Sequence, residues 1–126
     1  MPSDGDVTAS LPNPSPLIFV STLIHEIETS AMIDTGSSIS AINASFLRDL
    51  HMEQSIQPVT TSCRTANNTQ LQILGKINIP VTLAGRFLQI PTLVVEDLCA
   101  NLLLGSDFCA TYDVNLSYKQ KFLTLS

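Results

Sequence analysis

Short runs of alternating apolar and polar residues dominate the chain from residue 17 onward. "LIFVSTLI" (17–24) and "IETSAMI" (27–33) are rich in β-branched residues and flank His25-Glu26. That pattern predicts a hairpin whose second strand ends at Ile33, with His25 a solvated turn residue. Ile42, Phe46, Leu47 and Leu50 recur at helical spacing, and Asn43 or Ser45 stands ready to cap a short helix. His51 falls just past its end. "VTTSCR" (59–64) and "QLQILGKINIPVTL" (70–83) flank Asn67-Asn68, and asparagine tolerates positive φ, so a hairpin tip is predicted there. Gly75 in the returning strand marks a bulge or a close backbone approach. "AGR" turns the chain into "FLQIPTLVV" (87–95), and Pro80 and Pro91 demand places where no backbone donor is needed. Leu102, Leu103 and Leu104 are continuous and apolar, which predicts a strand buried on both faces. Ser106 is placed to cap a helix that starts with Asp107 and Phe108. Val114–Tyr118 and Phe122–Leu125 predict a last hairpin. Many short strands, one or two short helices and no βαβ rhythm make the fold all-β.

Length and composition narrow this further. The 126 residues fit one domain. Its first 16 residues, "MPSDGDVTASLPNPSP", mix acids with prolines and read as a disordered leader or linker. They are unlike a signal peptide. Residues 17–126 then form the domain. Apolar residues are 44% and charged residues only 13%, enough to fill a core and lean enough on the surface to favour burial in an oligomer. The net charge of −5, with six scattered Lys and Arg, argues against nucleic acid. No apolar run reaches membrane-spanning length. Cys63, Cys99 and Cys109 are odd in number and lack CxxC spacing, which predicts reduced, mostly buried thiols in a reducing compartment. Asp49, Asp97, Asp107 and Asp113 have no ligand spacing, so neither a metal nor another cofactor is expected.

The stretch that carries chemistry is "AMIDTGSS" (31–38). Asp34 falls where a buried strand breaks into a turn, and an ionised carboxylate there is costly unless bonded or paired. Three roles are open to it: an acid bonding its own turn, a cation ligand, or a catalytic acid tuned by its surroundings. The third is favoured by the company Asp34 keeps. Two serines extend the turn, a second apolar strand ends in glycine at Leu103-Leu104-Gly105, and a candidate hairpin between them is placed to fold over a cleft.

"AMIDTGSSISAI", "CRTANNTQLQILGKINIPV" and "NLLLGSDF", in this order, resemble the retropepsin-like aspartic proteases of retroviruses and gypsy-type LTR retrotransposons. The likeness covers about residues 17–125. It implies a retropepsin-like half-barrel, completed by a homodimer, that hydrolyses peptide bonds without a cofactor. Asp34 would supply one catalytic carboxylate. Thr35 would tie two active-site loops together across the dimer axis, and Gly36 would let substrate backbone approach. Ser37, Ser38 and Ile39 would line the substrate, with Ser37 in bonding reach of the carboxylate. Residues 64–70 would form the tip of a flap, where Thr65, Ala66, Asn67, Asn68 and Thr69 contact the substrate. Leu103, Leu104 and Gly105 would pack beneath the active-site loop.

One Asp-Thr-Gly triplet per chain implies two Asp34 residues meeting on a two-fold axis. The partners implied are a second copy and an extended peptide or polyprotein, in the cytoplasm or within virus-like particles. Asparagines replace the glycines usual at a flap tip. Ser37 stands where retroviral members often have alanine, and its hydroxyl on the carboxylate would favour the charged form and an acidic optimum. Ser106 replaces an arginine that many viral members carry. Two other readings keep the fold: a catalytically silent dimerisation or binding module, and a related domain of a cellular shuttle-type protein. Apolar Ile39, Ile73 and Val81 would suggest hydrophobic side chains flanking the scissile bond.

Overall fold

A computed structural model describes residues 18–59, 72–117 and 122–126. The leader (1–16), the expected flap tip with Thr65–Thr69, and Cys63 lie outside the described residues.

The first hairpin pairs β1 (Ile18–Ile24) with β2 (Ile27–Ile33) in full register from Ile18–Ile33 to Ile24–Ile27. His25 and Glu26 both take positive φ, 50° and 65°. That is the backbone a two-residue turn needs to match the strand twist. A short β3 (Ala41–Asn43) runs into α1 (Ala44–Asp49) and a 3-10 turn (Glu53–Ser55). The long hairpin of β4 (Ile73–Leu83) and β5 (Arg86–Val95) turns at Ala84-Gly85, again at positive φ. β6 (Leu102–Leu104) leads to α2 (Ser106–Thr111), and β7 (Asn115–Ser117) pairs with β8 (Phe122–Thr124) as a separate two-stranded sheet.

The first six strands close into a barrel in the order β1-β2-β6-β3-β5-β4. Two pairs, β2–β6 and β3–β5, are parallel, and Leu23–Thr82 closes the seam between β1 and β4. This ordering inserts β6 between β2 and β3, elements flanking the Asp34 turn. Ile24, Ile42, Leu47, Ile79, Val81, Ile90, Leu102 and Leu104 fill the interior. Each such side chain contributes about 1.5–3 kcal/mol of burial. Buried threonines bond locally: Thr22 to the Thr29 carbonyl and Thr92 to the Ile77 carbonyl.

Gly75 fulfils both readings made of it. The register shifts between Ile73 and Gly75, and a Cβ there would lie 2.4 Å from the Gln57 carbonyl oxygen. Asn43 is the cap of α1, its Oδ1 accepting from the Ser45 N–H at 3.0 Å. At α2 the expectation is corrected. The helix begins at Ser106, Gly105 is its cap residue, and no side chain caps it. Ser106 lies one residue too far along to cap, being already helical, and its backbone N–H donates to the Ser37 carbonyl at 2.7 Å. The expectation of mostly buried thiols also fails for the described ones: Cys99 is exposed and Cys109 half-buried, both free.

Candidate active site

Alternation along β2 decides where Asp34 faces. Ile33 points into the barrel core, so Met32 and the next residue, Asp34, belong to the opposite side. Met32, Leu103 and Ala41 are lateral neighbours across β2, β6 and β3. They are buried yet stand outside the core cluster. They form an apolar floor on the side of the sheet that carries Asp34. Leu103 therefore flanks the carboxylate's side, while Leu104 is the residue that supports the loop from within the core.

Asp34 is half-buried at the end of β2, and its N–H donates to the Leu104 carbonyl at 2.9 Å. Its Oδ1 accepts the Gly36 N–H at 3.0 Å, and the Ser37 N–H donates to its carbonyl at 3.1 Å. The carboxylate thus does bond its own turn. This leaves Oδ2 with no donor among the described residues, so the turn bond and a chemical role are compatible. A Cβ on Gly36 would stand 3.3 Å from Oδ1, crowding the acid. Thr35, Gly36 and Ser38 are exposed; Ser37 and Ile39 are half-buried.

One expected contact is not made. The Ser37 hydroxyl donates its single proton to the Ile39 carbonyl at 2.8 Å and so cannot also donate to Asp34. The acidic optimum argued from that bond loses its ground. Val81 is corrected too: it is fully buried in the barrel core, whereas Ile39 and Ile73 remain partly exposed.

What holds the loop is a run of four residues, 104–107. After the Leu104 carbonyl, the Gly105 N–H donates to Ser40 Oγ at 3.0 Å, and the Ser106 N–H donates to the Ser37 carbonyl. Asp107 then accepts the Ser40 N–H at 3.1 Å and the Ser40 hydroxyl at 2.7 Å. Gly105 has ordinary φ, −92°, so its need is for space. A Cβ would lie 2.6 Å from the Ser37 oxygen and 2.9 Å from the Ile39 oxygen. Ser40 and Asp107 escaped the sequence reading, which assigned Asp107 only to a helix start. A small polar residue at a buried strand entry was the available signal.

Among the described residues no three His, Cys, Asp or Glu side chains gather as a metal site would require. Nor is any helix among them long and apolar enough to cross a membrane. A cleft of about 360 Å³ lies along β4 and β5, lined by residues such as Ser55, Lys76 and Thr92, and shares no residue with the Asp34 loop.

The family model described as "gag-polyprotein putative aspartyl protease" matches residues 20–110, which include the Asp34 loop and the 104–107 run. The chain belongs to this aspartyl protease family. Its fold is retropepsin-like, as solved structures bear out. The retroviral protease-like domain of Ddi1 from Leishmania major superposes with a TM-score of 0.74 at 21% identity, over 89% of this chain and 91% of that one. A retropepsin-like aspartic protease from Rickettsia conorii gives 0.62 at 18% identity, covering 86% and 81%. The EIAV protease in complex with an inhibitor gives 0.61 at 17% identity, covering 83% and 93%. No curated protein sequence matches the chain significantly.

Proposed function

We propose that this aspartyl protease family member is an active homodimeric endopeptidase that processes a retroelement-type polyprotein. The observation that carries the reading is Asp34 itself. It sits on a loop fixed from below at four successive positions, with one carboxylate oxygen bonded and the other without a donor among the described residues, beside an exposed Thr35-Gly36 tip. One chain offers one such acid. Peptide hydrolysis by this chemistry takes two, so a second copy completes the site.

Two carboxylates about 3 Å apart cannot both ionise, as aspartic proteases in general illustrate, and they share one proton. The ionised Asp34 takes a proton from water as that water attacks the scissile carbonyl carbon. The protonated Asp34 donates to the carbonyl oxygen, and no covalent enzyme intermediate forms. Thr35, exposed and without a bonding partner among the described residues, is free to bond across the axis. Ser38 and Ile39 border the extended substrate, as do Thr65–Thr69 in the proposed flap. Met32, Ala41 and Leu103 offer an apolar floor that suits hydrophobic side chains next to the cleaved bond.

The test compares wild type with Asp34→Asn on a peptide library and on the protein's own residues 1–17, with sedimentation run in parallel. Cleavage by wild type alone supports the reading. Equal cleavage by both, or a protein that stays monomeric even with a peptide inhibitor, overturns it. The likeness in fold to the Ddi1 domain favours a second reading, the same chemistry within a cellular protein. Cleavage of cellular substrates but not of retroelement polyprotein junctions would select it.

A further inference from the structure

The bonds around Asp107 are more numerous than a helix start requires. Its carboxylate receives three donors: the Phe108 N–H at 2.7 Å, the Ser40 hydroxyl at 2.7 Å and the Ser40 N–H at 3.1 Å. Only the first belongs to its own helix. The other two come from a residue 67 positions earlier in the chain, at the far end of the Asp34 loop. Ser40 is fully buried, and its oxygen in turn accepts the Gly105 N–H. Donors and acceptors therefore match all round this cluster, and the match depends on Asp107 being an acceptor at both oxygens.

We propose that Asp107 and Ser40 act as a positioning clamp for the catalytic loop, a role that rests on the endopeptidase reading for its purpose but on bonds within one chain for its existence. The loop needs such a device. Thr35, Gly36 and Ser38 are exposed, so packing does not define the tip. The tip is defined by its two ends: Asp34 on the Leu104 carbonyl, and Ser37 and Ser40 on residues 105–107. If the Asp107 bonds to Ser40 are lost, the loop keeps its bonds at Asp34 and Ser37, and beyond them only the Leu93 N–H on the Ser40 carbonyl and the Gly105 N–H on the Ser40 hydroxyl hold that end. Chemistry between paired acids is sensitive to displacement, and a shift of about 1 Å can cost roughly 100-fold in rate.

Asp107→Asn separates this role from that of a helix start. With its oxygen at the Oδ1 position, the amide still accepts from Phe108 and from the Ser40 hydroxyl. Its NH2 group, however, then faces the Ser40 N–H, donor against donor. Reversing the amide sets the NH2 group against the Phe108 N–H, donor against donor, and deprives the Ser40 hydroxyl proton of its acceptor, so the mismatch moves and is not removed. Ser40→Ala removes the hydroxyl from the other side and leaves the Gly105 N–H unpaired.

Amide exchange measured by NMR on the whole protein reads the clamp directly. In both variants the amides of Ser37, residue 40 and Ser106 are expected to exchange roughly tenfold faster, the equivalent of one net hydrogen bond. The barrel amides of Ile79 and Ile90 keep their protection. The double variant is expected to exchange faster than either single one but by less than the product of their effects, because the changes break different bonds of one connected cluster. On a peptide whose cleavage depends on Asp34, kcat should drop more than KM rises. Loop exchange that is unchanged, or faster only in step with the barrel, overturns the clamp; so does an unaltered kcat. If wild type cuts no peptide, the endopeptidase reading fails, and the exchange data alone still decide whether the clamp exists.

Discussion

Replacing Gly105 by alanine tests whether space, not backbone freedom, is what that position demands. Its φ of −92° is open to any residue, so no conformational penalty is expected. The new methyl would lie 2.6 Å from the Ser37 oxygen, and ordinary contact begins near 3.4 Å, so the loop must retreat by about 0.8 Å. Both the Ser37 and Ile39 atoms it meets are backbone, which cannot swing aside as a side chain would. Overpacking of this kind costs about 1–3 kcal/mol. Retreat also stretches the Ser106–Ser37 and Gly105–Ser40 bonds, each worth about 1 kcal/mol net. The total expected loss is about 2–4 kcal/mol, a large part of the roughly 5–15 kcal/mol that holds a domain folded. Gly85→Ala is the control. That glycine has φ of +75° with nothing within 4 Å, so alanine there meets only conformational strain of about 1–2 kcal/mol. Urea unfolding of the two variants gives the comparison, and Gly105→Ala should in addition lose most cleavage while Gly85→Ala retains it. If Gly105→Ala proves no less stable and no less active than Gly85→Ala, the account of the close approach is wrong.

Other outcomes follow from the same geometry. Asn43→Ala removes the α1 cap and also the amide donor to the Leu98 carbonyl, and should cost about 1–2 kcal/mol in urea unfolding. Arg48→Ala breaks an exposed ion pair with Glu96, and should change stability by less than about 1 kcal/mol, with the difference vanishing in high salt. Burial, and secondarily the charge of Asp107, push the Cys109 thiol above its ordinary range, whereas Cys99 is exposed. Alkylation followed by mass spectrometry at mildly alkaline pH should therefore label Cys99 before Cys109. Because folded Cys109 holds its proton to higher pH than the unfolded chain, it leaves stability unaffected below the ordinary thiol pKa. Stability then falls as pH climbs from that value through the raised one. Cys109→Ser should flatten that fall in alkaline unfolding curves.

Much of the fold was legible because its signals are local. The His25-Glu26 and Ala84-Gly85 turns, the Asn43 cap and the bulge at Gly75 each follow from a residue's own conformational preferences or those of its near neighbours. The failures have one cause in common. Adjacency to a helix makes Ser106 look like a cap, and a separation of three residues makes Ser37 look like a partner of Asp34. In the folded chain Ser106 is already the first helical residue, and the Ser37 hydroxyl goes to Ile39. A polar group bonds whichever partner the packing delivers, and Val81 likewise faces the core because of strand alternation within a barrel that closes elsewhere.

The chain by itself determined that Asp34 ends an apolar strand, that Thr35-Gly36 follows it, and that a three-leucine strand ends in glycine. Those facts depend on residue type and spacing, which are written along one dimension. Only the tertiary structure decided that β6 slots between β2 and β3 and brings residues 104–107 under the loop. That arrangement makes Gly105 irreplaceable for its size and gives Asp107 two donors from Ser40. Parallel pairing of β2 with β6 joins segments about 70 residues apart. No local preference encodes such a pairing, because its free energy comes from burying leucines against strands that meet only once the barrel has closed.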